Sequence, residues 1–84
     1  MLTLAEIIRQ KIDDGRLPEH SSMKTWAGYG RGNPCSACEQ PIAPAQTEYE
    51  VDAGDHTYWL HIGCYGLWEA ERRRRGLTKR EESA

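Results

Sequence analysis

The chain places two of its three cysteines as Cys35-x2-Cys38, and its third completes a second pair at the same step, His61-x2-Cys64, with 22 residues between the pairs. No other feature constrains the fold as tightly. Two short-range donor pairs so far apart can share one ion only if the chain between them doubles back. Zinc takes four ligands at tetrahedral angles, and thiolate and imidazole are its usual protein donors. A two-residue gap in a tight turn lets both sulfurs of Cys35 and Cys38 reach one ion. A three-residue step on the first turn of a helix does the same for His61 and Cys64. These four donors fill the coordination sphere, leaving no position for water or substrate. The expected cofactor is one structural zinc ion per chain. Eighty-four residues form one small domain whose core buries a modest share of its surface, so such a staple is physically useful.

Competing uses of the cysteines fit less well. Three cannot all pair as disulfides. The opening "MLTLAEIIRQ" lacks the basic flank and continuous apolar run of an export signal. No apolar stretch approaches the roughly 18–20 residues of a membrane helix. The expected setting is therefore a reducing cytoplasm, away from membranes, where closely spaced cysteines more often bind metal. A thioredoxin-like redox pair wants a βαβ setting that the sequence does not offer. A zinc deaminase needs an upstream His-x-Glu, but His20 is followed by Ser21 and Ser22. His56, the rival ligand, lies in the hairpin turn region, where an exposed polar role is expected, since His61 has the better spacing.

The flanking segments read as follows. Thr3 and Glu6 have the spacing of a capping box, with Leu2 and Ile7 placed as a hydrophobic staple. Leu4, Ile7, Ile8 and Ile12 recur on one face and Gly15 is a natural stop, so residues 1–17 form an amphipathic helix. Asp13 and Asp14 fit its end poorly, because the helix dipole disfavours anions there. The stripe is expected to dock on the rest of the domain, with Trp26 or Trp68 among its contacts. Residues 18–34, rich in glycine, read as a connecting loop pinned by Trp26 and Tyr29. Tyr49 and Val51 alternate with Glu48, Glu50 and Asp52, the period of a half-buried strand; "DAGD" supplies a turn, and Thr57 to Leu60 return. A final helix starts near His61 and runs toward Gly76, with Leu67 and Trp68 on the ligand face. Residues 35–76 are thus the zinc-binding module, and 77–84 a flexible tail. The fold class is a small α+β zinc-stapled domain with an added N-terminal helix.

The stretches "CSACEQPI" and "YWLHIGCY" resemble one zinc-binding half of a LIM domain, and are similar to zinc fingers of the poly-ADP-ribose polymerase type. Both belong to the treble-clef group, and the resemblance implies a knuckle, a β-hairpin and a C-terminal helix carrying the last ligands. It spans residues 35 to about 72 and carries over only Cys35, Cys38, His61 and Cys64. The second LIM site and the Gly-x-x-Arg segment of the polymerase-type finger are missing, so recognition of DNA breaks does not transfer. Small bacterial proteins with a helix–loop–zinc layout also look similar.

Charge is segregated. Residues 35–68 carry five acids and no Lys or Arg, whereas residues 69–84 carry six basic and four acidic side chains. Arg72, Arg73, Arg74 and Arg75, with Lys79 and Arg80, are candidate phosphate contacts. Yet Glu69 and Glu71 stand four residues before Arg73 and Arg75, the favourable orientation for intrahelical pairs. Three thiolates around one zinc leave a net −1, which further opposes a polyanion. The expected role is a non-enzymatic interaction or regulatory module with a protein partner; nucleic-acid binding through the arginine helix is the alternative. No acid, base or open coordination position marks an enzyme.

Overall fold

The computed structural model describes residues 1–19, 24–54 and 56–76. The expected tail at 77–84 with Lys79 and Arg80, Asp55 of the turn, and His20 lie outside them. Helix α1 spans Leu4–Asp13. Its capping box is formed: the Glu6 amide donates to Thr3 Oγ1 at 3.1 Å, and the Thr3 amide donates to Glu6 Oε1 at 2.8 Å. At the other end Gly15 turns left-handed with φ of 85°. The Arg16 amide reaches Lys11 O and the Gly15 amide reaches Ile12 O, the paired bonds of a Schellman stop. The awkward aspartates have local cations: Asp14 pairs with Arg16, and Asp13 with Arg75 on the last helix. Leu2, read as a staple onto Ile7, stays exposed.

Three strands follow, β1 (Lys24–Tyr29), β2 (Thr47–Asp52) and β3 (Thr57–His61), antiparallel in the order β1-β2-β3. The β2–β3 hairpin is the expected one, with Val51 opposite Tyr58 and Tyr49 opposite Leu60. Strand β1 corrects the expectation of a loop across 18–34. Trp26 pairs with Glu50 and Ala27 with Tyr49. The strand lacked a sequence signature because it is an edge strand exposed along its whole length, so no buried face imposes a two-residue alternation. The glycines after it serve close approach. A Cβ on Gly30 would fall onto the carbonyl oxygens of Ile42 and Ala43, and Gly32, with φ of 84°, lets its amide meet Ile42 O at 2.9 Å.

One face of the sheet carries Val51 and Leu60 into the core, with Tyr49 stacked on Tyr65 of the last helix, ring centroids 4.2 Å apart. The other face is less solvated than its acids suggest. Glu48 is buried, because Arg31 and Asn33 fold over and bind its carboxylate at 2.9 and 3.4 Å.

Helix α2 spans Ile62–Arg74, with His61 as its N-cap in extended conformation. Cys64, Trp68, Glu71 and Arg72 form its buried stripe, and Leu67 is exposed. Leu67 was expected on the ligand face by counting three-residue steps from His61. The count fails because His61 precedes the helix, so its side chain obeys strand geometry. Helix α1 docks on α2 as expected, and of the two tryptophans only Trp68 belongs to the core with Ile8, Ile12 and Leu17. Its Nε1 donates to Pro18 O at 2.9 Å, satisfying the one polar atom this side chain buries. Trp26 is half exposed. Ile8 is 0% exposed, so Ile8→Ala should destabilise the domain by about 2–5 kcal/mol, measured by denaturant unfolding of the metal-loaded protein.

Candidate metal centre

The tetrad is assembled from two local structures. After Asn33 the chain makes a tight knuckle: the Pro34 and Pro41 backbones form a bridge, the Cys35 amide donates to Gln40 O at 2.9 Å, and the Glu39 amide donates to Cys35 O at 2.8 Å. Glu39 adopts φ of 70°, a left-handed conformation that costs a non-glycine residue roughly 1–2 kcal/mol. The knuckle is fastened to β3, where the Ser36 amide donates to Trp59 O at 2.7 Å and the Trp59 amide to Ser36 Oγ at 3.3 Å. Those bonds bring the knuckle to the end of the strand, where His61 closes β3 and Cys64 sits in the first turn of α2.

The four donor atoms of Cys35, Cys38, His61 and Cys64 all lie within 4.8 Å of one another. A tetrahedral site with metal–sulfur bonds near 2.3 Å needs ligand atoms about 3.8 Å apart, so the donors fit a single ion. Cys35 and Cys64 are buried, while Cys38 and His61 are half-buried. The imidazole is oriented. Its Nε2 lies 3.3 Å from Pro41 O and its Nδ1 lies 3.4 Å from Cys38 Sγ. A carbonyl can only accept, so Nε2 carries the proton and Nδ1 presents its lone pair to the cluster. A backbone acceptor on the far nitrogen is the usual way a ligating histidine is held.

The buried thiols of Cys35 and Cys64 interact directly. The hydrogen bond from the Cys64 thiol draws Cys35 down to about 4, opposed by burial and reinforced by the backbone N–H groups of Cys38, His61 and Ala37. Cys64, which gives that bond, is pushed up by the bond first and by burial second. Sulfurs this close cannot all carry negative charge without a counter-ion, and a dication held among them would supply it. His56 stands apart, exposed, with its ring against Tyr58 at 4.6 Å.

Lys11 was not anticipated. It is 5% exposed, and its ammonium donates to Ser36 O at 3.0 Å, Ala37 O at 2.8 Å and Glu39 Oε2 at 2.9 Å. The signal was present in the helical phase, since Lys11 stands four residues after Ile7 and three after Ile8, inside the apolar stripe. A lysine there must lead its charge to acceptors.

The arginine run is not a free basic patch. Arg72 is 2% exposed, with its guanidinium 4.4 Å from the Trp68 ring centroid, its Nε on Glu19 O at 3.1 Å and its Nη1 on Glu69 at 2.8 Å. Burial removes it as a phosphate contact. Arg74 and Arg75 both bind Glu71, at 2.6 and 2.7 Å, and Arg75 also holds Asp13 at 2.9 Å. The expected Glu71–Arg75 pair is present, but Glu69 binds Arg72 rather than Arg73, because only Arg72 lies on the buried face beside Trp68. Compared with known protein families, curated proteins and solved structures, the chain matches none; its likeness to LIM and polymerase-type fingers rests on ligand order and spacing.

Two outcomes are expected. Protein purified with reduced thiols should contain close to one zinc per chain by elemental analysis, and a Cys→Ser change at any of the three cysteines should release it. Chelation should also unfold the hairpin and α2, since such sites contribute roughly 10–16 kcal/mol in finger peptides; circular dichroism and amide spectra report the loss. The second outcome concerns Glu71, whose carboxyl is lowered from 4.5 to about 2, first by its hydrogen bond from Arg74, against burial, and then by Arg75. A depressed acid stabilises the fold above its ordinary value and loses that contribution as pH falls through about 2. Glu71→Gln should therefore cost about 1–3 kcal/mol near neutral pH. The gap between variant and wild type should close between pH 4.5 and about 2, read by paired unfolding titrations.

Proposed function

We propose that this chain is a non-enzymatic structural-zinc module of treble-clef type that serves macromolecular interaction, with a protein as its partner. The observation that carries the reading is the convergence of four protein donors from a knuckle and a helix start, with a β-hairpin between them. That is the order of elements in the treble-clef group, and a site saturated by protein ligands is structural. Catalysis would need an open metal position or a placed acid–base pair, and neither supports a competing assignment.

An interaction role is supported by what remains outside. Trp26 is 50% exposed and Tyr29 84% exposed, both on the outermost strand. Large aromatics are enriched where proteins meet proteins. Among the described residues no helix is long and apolar enough to cross a membrane, consistent with the cytoplasmic setting proposed for it.

Fluorescence anisotropy with labelled DNA and RNA separates this reading from its nucleic-acid alternative. Arg73 is the exposed member of the run for which no carboxylate pairing is seen among the described residues. Binding near physiological salt should be weak, and Arg73→Ala should leave folding and metal content unchanged. Sub-micromolar affinity that falls steeply with salt, with a slope flattened by about one unit on the logarithmic plot in Arg73→Ala, would replace the protein-partner reading.

A further inference from the structure

We propose that Lys11 is a positioning residue of the metal centre, and that through it metal occupancy and docking of helix α1 are reciprocally coupled. The inference rests on the zinc reading above and adds a role for the N-terminal helix, which carries no ligand.

The argument starts from two peptide units. The first joins Ser36 to Ala37: Lys11 Nζ takes its carbonyl at 3.0 Å, and its N–H donates to Cys35 Sγ at 3.4 Å. The second joins Ala37 to Cys38: Lys11 Nζ takes its carbonyl at 2.8 Å, and its N–H also donates to the Cys35 sulfur. Each unit is gripped at one end by an ammonium and aims its other end at a metal-binding sulfur. A cation on the carbonyl polarises the peptide and strengthens the N–H as a donor. The orientation of both amides around Cys35 therefore depends on Lys11, as a metal's outer partners orient its ligands.

The ammonium reaches the knuckle only from a docked helix. Lys11 projects from between Ile8 and Ile12, both in the core, so undocking α1 withdraws it. Its three protons meet three acceptors, the third being Glu39, which leaves no donor bare in a buried setting. Its charge also stands beside a cluster that carries a net −1 with zinc bound. If the docked helix favours the loaded site, linkage requires the loaded site to favour the docked helix by the same factor.

Lys11→Met keeps the aliphatic stem and removes the ammonium. Zinc affinity, measured by competition with a chromophoric chelator, should fall about 10- to 100-fold. The sulfur-to-metal charge-transfer bands of the cobalt-substituted protein should shift, because the N–H bonds to Cys35 change. Glu39→Gln keeps both carbonyl contacts and should leave those bands in place. In the wild-type chain, amide exchange of residues 8–12 should accelerate when metal is removed. Wild-type affinity and unmoved bands in Lys11→Met overturn the coupling while leaving the zinc reading intact. If that variant does not fold, equal protection of α1 in the loaded and metal-free wild type overturns it instead. A wild type that binds no zinc removes both readings together.

Discussion

Four donor atoms from two distant segments meet within 4.8 Å, and most of the architecture follows from making that meeting possible. The hairpin returns the chain so that β3 lies beside the knuckle, and the bonds between Ser36 and Trp59 hold the two together. His61 is at once the last residue of β3 and the N-cap of α2, so the site fixes the point where sheet becomes helix. The core and the site also share one volume. Cys35 and Cys64 pack with Ile42, Leu60 and Trp68, where unpaired thiolates would carry a heavy desolvation cost. A metal in this position offsets that cost while crosslinking segments that a small core holds only weakly.

A second set of restraints ties α1 to α2. Glu71 is buried on α2 and gathers Arg74 and Arg75 from its own helix and Arg9 from α1. Arg75 continues to Asp13 at the end of α1. Arg72 lies over Trp68 and binds the backbone of Glu19, so the segment after α1 is held as well. Exposed ion pairs contribute little individually, but these converge on a carboxylate shielded from solvent, where screening is weaker. The basic run is thereby largely consumed in packing one helix against the other.

Features with a local cause were legible in the sequence. The capping box at Thr3 and Glu6, the stop at Gly15 and the hairpin alternation each depend on a few neighbouring residues and stand as read, and the two spaced donor pairs are brought together. Features with a tertiary cause were not. Strand β1 exists because β2 offers it a ladder, and an exposed edge strand containing Gly28 shows no alternation to detect. Glu48 reads as a solvated strand residue until Arg31 and Asn33 are seen to cover it. Lys11 looks like an interruption in an apolar stripe, although its phase between Ile7 and Ile8 marks it as buried. Arg72 differs from Arg73 only in helical phase relative to Trp68, which no count of charges reveals.

The sheet is treated differently at its two edges. The knuckle meets β3 at Trp59 with one backbone and one side-chain hydrogen bond, so the segment carrying Cys35 and Cys38 sits against that edge. At β1 all six residues from Lys24 to Tyr29 are exposed, and among the described residues no further strand pairs with it; such an edge is a ready template for pairing unless charge or proline blunts it. Lys24 is the only charge in the strand, and it contains no proline. Trp26 and Tyr29 differ by three positions, so strand alternation sends them to opposite faces of the sheet. Trp26 pairs with Glu50 and so lies on the face where Arg31 bridges Glu48 and Glu50 at 2.9 and 3.0 Å, whereas Tyr29 lies on the face that Val51 and Leu60 carry into the core.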